Sequence, residues 1–85
     1  MLEQDVLLDL LVRKDNRAYQ YLYQCYYVAL KALASYYVKD NDVAEDLVQD
    51  VFISLLESRN KFETANGVKY FLYSSLKNKC ISHFR

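Results

Sequence analysis

Four stretches of the chain repeat apolar residues at intervals of three and four, the spacing of one face of an α-helix. The first covers about Leu2–Lys14, with Leu2, Val6, Leu7, Leu10 and Leu11 on one stripe. Asp15-Asn16 follows as a polar break able to cap a new helix. The second stretch covers about Arg17–Val38, where Ala18, Leu22, Tyr26, Ala29 or Leu30, Leu33 and Tyr37 share a side. Lys39-Asp40-Asn41-Asp42 is a polar turn, and Asp42 with Glu45 three residues later has the form of a capping box. The third covers about Val43–Ser58, with Val43, Ala44, Leu47, Val48, Val51, Phe52, Leu55 and Leu56 in a continuous apolar arc. The period is lost over residues 59–67, which end in Asn66-Gly67; a loop is expected there, with a turn of helix around Lys61–Phe62. The fourth covers about Val68–Phe84, with Val68, Leu72, Leu76, Cys80 or Ile81, and Phe84 facing inward. The pattern predicts an all-α domain, a compact bundle of three to four helices.

Composition narrows this without changing it. A chain of 85 residues allows one domain, and at this size folding buries only about 60–65% of the unfolded surface, enough for one modest core. Apolar residues make up 53% of the chain, too many for a disordered polypeptide. Pro is absent and Gly67 is the single glycine, which argues against all-β folds and Gly-rich phosphate loops. No apolar run approaches the ~20 residues needed to span a bilayer, so membrane insertion is not expected. There are nine tyrosines and no tryptophan, and most of the tyrosines fall between Tyr19 and Tyr37. Tyr hides a ring and keeps a wet hydroxyl, so this segment should be half-buried.

Chemistry-bearing residues are few. His83 has no carboxylate or thiol at ligand spacing, and no catalytic motif is present, so neither an enzyme, a metal nor a cofactor is expected. Cys25 reads as a small buried hydrophobe. Cys80 also reads as packing, although Lys77 and Lys79 could lower its pKa. Two cysteines make no disulfide framework, and a reduced, cytoplasmic compartment fits them.

Net charge is zero, but the charges are segregated. Residues 1–60 hold six Lys and Arg against ten Asp and Glu, while residues 61–85 hold five against one. Six acids and no Lys or Arg fall from Asp40 to Glu57. Two partners of opposite sign would account for this. On the acidic side, Asp46, Gln49, Asp50, Ile53 and Glu57 share one helical face. An apolar Ile53 flanked by acids suits a basic amphipathic partner helix; the plain alternative is an ordinary solvated face. On the basic side, Lys69, Tyr73 and Lys77 recur every four residues, and Tyr70, Ser74 and Asn78 form a neighbouring row. Lys attracts phosphate, Tyr offers a stacking platform, and Asn and Ser bond base edges. That strip could follow one nucleic-acid strand.

The order of these features resembles a known family. Asp15-Asn16-Arg17-Ala18-Tyr19-Gln20-Tyr21-Leu22-Tyr23-Gln24-Cys25-Tyr26-Tyr27 resembles the D-x-x-A-F-x-x-L-Y-x-x-Y-Y opening of the extracytoplasmic-function (ECF) sigma factors of bacterial RNA polymerase. Val43-Ala44-Glu45-Asp46-Leu47-Val48-Gln49-Asp50-Val51-Phe52 resembles their A-E-D-L-V-Q-E-V-F helix, and Val68–Asn78 resembles their F-R-A-W-L-Y-x-I-A-R-N helix. The resemblance covers nearly the whole chain and implies the helical region 2 of a sigma-70-type transcription initiation factor. It implies that Asp46, Gln49, Asp50, Ile53 and Leu56 contact the clamp helices of the largest subunit of core RNA polymerase. It further implies that the loop around Glu63–Gly67, with Thr64 and Asn66, holds a flipped base of the non-template strand of the minus-ten promoter element. Lys69, Tyr70, Tyr73, Ser74, Lys77 and Asn78 would lie along the promoter DNA. An anti-sigma factor is a further implied partner.

Departures from the family pattern are local. Phe71 stands where Trp is usual, Tyr19 where Phe is usual, Asp50 where Glu is usual, and Lys14 where Gly is frequent. The family's region 4 helix-turn-helix is absent, so residues 1–85 read as a region 2 domain fragment of a longer protein. The rival reading is a small helical-repeat adaptor of the tetratricopeptide kind, which shares Tyr and Ala at helical spacing. It would require a repeat of roughly 34 residues, which this chain lacks.

Overall fold

Capping chemistry decides where each helix begins and stops. A computed structural model describes residues 3–58 and 62–84, in the order α1 (Gln4–Val12), α2 (Asn16–Val38), α3 (Asn41–Glu57) and α4 (Ala65–His83). Helix α1 closes through two backbone bonds: the Lys14 N–H donates to the Leu11 carbonyl at 3.0 Å, and the Asp15 N–H to the Leu10 carbonyl at 2.9 Å. That motif needs a left-handed residue at Lys14, whose φ is 56°. Asp15 then caps α2. Its carboxylate accepts from the Arg17 N–H at 2.9 Å and from the Arg17 guanidinium at 3.1 and 2.9 Å. The bonds from Arg17 hold the Asp15 carboxyl at about 2.

Helices α3 and α4 start earlier than the apolar period predicts, because of their caps. Asp40 caps α3, its carboxylate accepting from the N–H groups of Asp42 at 3.0 Å and Val43 at 3.1 Å. Asp42 therefore lies inside the helix, and the predicted Asp42–Glu45 capping box does not form. Left-handed Lys39 (φ 56°) ends α2, so extended Asp40 meets the first unpaired amides. Thr64 caps α4: its hydroxyl oxygen accepts from the Gly67 N–H at 3.0 Å, while Gln4 of α1 accepts from the Ala65 N–H at 2.8 Å. Asn66 and Gly67 are therefore the first turn of α4 rather than the end of a loop. The positions expected at Leu2, Arg59, Asn60, Lys61 and Arg85 lie outside the described residues.

Packing follows from the stripes. Helices α2 and α3 form an antiparallel pair across a two-residue connection, and α4 lies against both. The core takes Leu7 and Leu10 from α1; Ala18, Leu22, Leu30 and Ala34 from α2; and Ala44, Val48, Val51, Phe52 and Leu55 from α3. Helix α4 adds Val68, Leu72, Leu76 and Cys80, one residue in four. That row inclines to the helix axis and suits a crossing rather than a parallel seam. The buried stripe of α4 ends at Cys80, because Ile81 and Phe84 are exposed. Val6, Tyr37 and Leu56 are likewise more exposed than the period predicts, and Ala29 faces out while Leu30 is wholly buried. Cys25 is exposed and not part of the core. It lies on a flank of α2 that the neighbouring helices leave open. Phe71 is half-buried, with its ring edge-on to Phe62 at 5.6 Å, an aromatic contact that the smaller ring makes without Trp.

Candidate functional surfaces

Helix α3 buries one arc and leaves an acidic ridge at the surface. Asp46, Asp50 and Glu57 are exposed, and Gln49 is half-buried. Ile53 and Leu56 are 48% and 43% exposed, so two large apolar side chains sit among the acids. Apolar surface of this kind is stabilised when a partner covers it, by ~25 cal/mol for each Å² removed from water. The acids bring no internal cation with them: among the described residues the ion pairs are Asp9–Arg13 and Asp15–Arg17, both away from the ridge. On its α2 side the ridge meets tyrosines. Gln49 Nε2 donates to the Tyr23 hydroxyl at 3.3 Å, and the Tyr23 ring stacks on Tyr27 at 4.6 Å. Burial, then Glu45 and Tyr23, push the Tyr27 hydroxyl pKa up. Sequence reasoning missed this border. The signal was available: Tyr23 and Tyr27 are one turn apart, as are Glu45 and Gln49, and antiparallel helices bring such pairs face to face.

Helix α4 presents the basic strip. Lys69, Tyr70, Lys77 and Asn78 are exposed, and Ser74 is half-buried. Tyr70 is 75% exposed, an open aromatic face. Tyr73 differs from it: its ring is half-buried and edge-on to Tyr26 of α2 at 6.3 Å and 89°. Asn66 is exposed on the first turn, and Thr64 is engaged as the helix cap. The residues expected from a loop thus stand at the N-terminus of α4, where the helix dipole favours an anion.

The two surfaces share an edge. A groove of about 560 Å³ between α3 and α4 is lined by Leu47, Asp50 and Ser54 on one wall and by Ser75, Asn78 and Lys79 on the other, and it reaches Ser82 and His83. Asp50 of the ridge and Asn78 of the strip therefore line one cleft. Cys80 is buried, and burial pushes its thiol pKa up, opposite to the effect expected from Lys77 and Lys79. Desolvation acts on the sulfur directly and disfavours the thiolate. Among the described residues no cluster of His, Cys, Asp and Glu could hold a metal ion, and no helix is long and apolar enough to cross a membrane.

Comparison with known proteins gives one family. Residues 22–85 match Sigma-70 region 2. The chain is 37% identical over 70 residues to the ECF RNA polymerase sigma factor SigX of Bacillus subtilis, an alignment covering 82% of this chain and 36% of that protein. It is 38% identical over 48 residues to a probable RNA polymerase sigma factor of Haemophilus influenzae, covering 56% of this chain and 25% of that one. The chain thus spans about a third or less of the length of these relatives. No solved structure matches it. The helical-repeat alternative loses its basis, since four unlike helices enclose one core. With helices in the order the motifs imply, an exposed acidic ridge on α3 and a family match over most of its length, the chain belongs to the sigma-70 region 2 family, as a domain of the ECF type.

Proposed function

We propose that this domain docks on core RNA polymerase through α3 and holds the melted minus-ten promoter element along α4. The observation that carries the reading is the exposed ridge Asp46–Asp50–Ile53–Leu56 running beside a basic, aromatic helix across a shared groove. Asp46 and Asp50 meet cations of a clamp helix, Gln49 bonds it, and Ile53 and Leu56 lose water against its apolar side. Opposite charges steer the encounter more than they hold it, so the apolar pair carries the affinity.

The DNA side works by binding, without catalysis. Taking a base out of the stack costs a few kcal/mol. A base stacked on an aromatic ring recovers ~1–3 kcal/mol, which Tyr70 is exposed enough to supply. Lys69 and Lys77 neutralise phosphates along the strand. Thr64 spends a lone pair on its cap and keeps a hydroxyl proton to donate, and Asn66 offers both donor and acceptor to a base edge. Ser74 and Asn78 extend the polar row, with Tyr73 stiffening the strip through its contact with Tyr26. Because Asn78 and Asp50 line one groove, DNA on α4 would run beside the polymerase rather than away from it. An anti-sigma factor is a further partner consistent with the family, and the cytoplasm is the compartment this work requires.

Two charge reversals separate the surfaces. Asp50→Lys should abolish binding to a clamp-helix fragment of polymerase with helical circular dichroism unchanged, whereas Lys77→Glu should weaken promoter-DNA association and spare polymerase. Polymerase binding unaltered by Asp50→Lys would overturn the assignment of α3. Equal loss of both activities in Lys77→Glu would overturn the division into two surfaces.

A further inference from the structure

Gln49 differs from its neighbours on the ridge in being half-buried and held. Its amide nitrogen donates to the Tyr23 hydroxyl at 3.3 Å, a bond between residues 26 apart in the chain. The Tyr23 ring is itself fixed on two sides. It stacks on Tyr27 with centroids 4.6 Å apart and planes 20° apart, and it tilts against Phe52 at 5.1 Å. Phe52 is a core residue, 7% exposed, so Tyr23 is anchored to the interior while part of it remains at the surface. Tyr27 in turn lies near Glu45, one turn before Gln49 on α3. A run of Gln49, Tyr23, Tyr27 and Glu45 therefore knits α2 to α3 along the border of the ridge.

We infer that Tyr23 is a positioning residue for partner binding, fixing the Gln49 amide so that its oxygen is ready to accept from a cationic or amide donor on the docked helix. This rests on the reading of α3 as the polymerase-facing helix and deepens it. A free glutamine has three rotatable bonds to freeze when it binds. Here the nitrogen end is already committed to Tyr23, so less freedom is lost on docking. The partner chemistry follows: with one of its two N–H groups held by Tyr23, Gln49 keeps its carbonyl oxygen free to accept from a partner donor, the same polarity that Asp46 and Asp50 select by charge. The tyrosines of α2 thus act on the interface through α3.

The test is a double-mutant cycle on the 85-residue chain, read as affinity for a clamp-helix fragment of the largest polymerase subunit. Tyr23→Phe keeps the ring and removes the hydroxyl; Gln49→Ala removes the amide. Each single change should weaken binding about three- to tenfold, the range of one hydrogen bond and one frozen side chain. The double variant should bind no more weakly than Gln49→Ala alone, because without the amide the Tyr23 hydroxyl has nothing to position. Tyr23→Phe should keep the wild-type helical circular dichroism and a cooperative urea transition, and NMR of the Gln49 side-chain amide should show rotamer averaging only in that variant. Full affinity in Tyr23→Phe alongside lost affinity in Asp50→Lys would overturn the inference, as would additive losses in the double variant. If Asp50→Lys also binds normally, the assignment of α3 fails instead. An unchanged Gln49 amide spectrum in Tyr23→Phe then still refutes the positioning role.

Discussion

Lys14 has φ 56°, a conformation in which the Cβ of an L-residue crowds the following carbonyl at ~1–2 kcal/mol. Glycine would take this geometry without strain, because the closing bonds of α1 require a left-handed residue there. Lys14 meets the strain with a contact that Gly lacks. Its ammonium donates to the Leu56 carbonyl at 2.8 Å, satisfying an open end of α3. Lys14→Gly should therefore change stability by less than ~1 kcal/mol, relief of strain offsetting the lost bond. Lys14→Val keeps the strain, adds a branched Cβ and removes the bond, and should cost ~2 kcal/mol or more in urea unfolding. The motif comparison marked this residue as unusual, but only the backbone angle and the Leu56 contact say how the chain accommodates it.

Helix boundaries are set here by single side chains at their ends. Asp40 and Thr64 each present an oxygen to amides that the apolar period does not mark, and so α3 and α4 each begin before their first buried residue. Polar runs such as Lys39–Asp42 hold several possible caps. Which one acts depends on the backbone leading into it, and left-handed Lys39 selects Asp40. Gly67 shows the same point from the other side. An Asn-Gly pair reads as a turn, yet Gly67 is helical and has no positive φ. A Cβ built there would meet the Thr64 hydroxyl at 3.4 Å and Phe62 at 3.9 Å, ordinary contact distances. Gly67→Ala should then stabilise α4 by about 0.5–1 kcal/mol, seen as a higher thermal midpoint. A loss of stability would show that the first turn of α4 needs the glycine.

All four helices converge on a core with little redundancy. Leu72 and Leu76 of α4 are wholly buried, and Leu22 and Leu30 of α2 are buried in the same core. Truncation of such a residue costs ~2–5 kcal/mol, against a total near 5–10 kcal/mol for a domain of this size. Leu72→Ala should therefore lower the melting temperature by more than about 10 °C, whereas Ile53→Ala, at a half-exposed position, should shift it by only a few degrees. The contrast matters for function, because Ile53 contributes little to folding and is available to a partner. The same arrangement explains why charge segregation along the chain becomes two adjoining surfaces: α3 and α4 are packed neighbours, and Asp50 and Asn78 end up lining one groove.

Periodicity alone specified four helices and nearly all of their inward residues, because burial on a helix repeats with the turn and any apolar stripe must find cover. Motif order likewise specified the family and the two charged faces, since these depend on residue type and spacing within single helices. The pairing of Gln49 with Tyr23, the retreat of Tyr73 against Tyr26, the exposure of Cys25 and the common groove of α3 and α4 came only with the packed helices. Each of these depends on which helix lies beside which, and at what register. That information resides in contacts between distant segments, where a one-dimensional repeat has no phase.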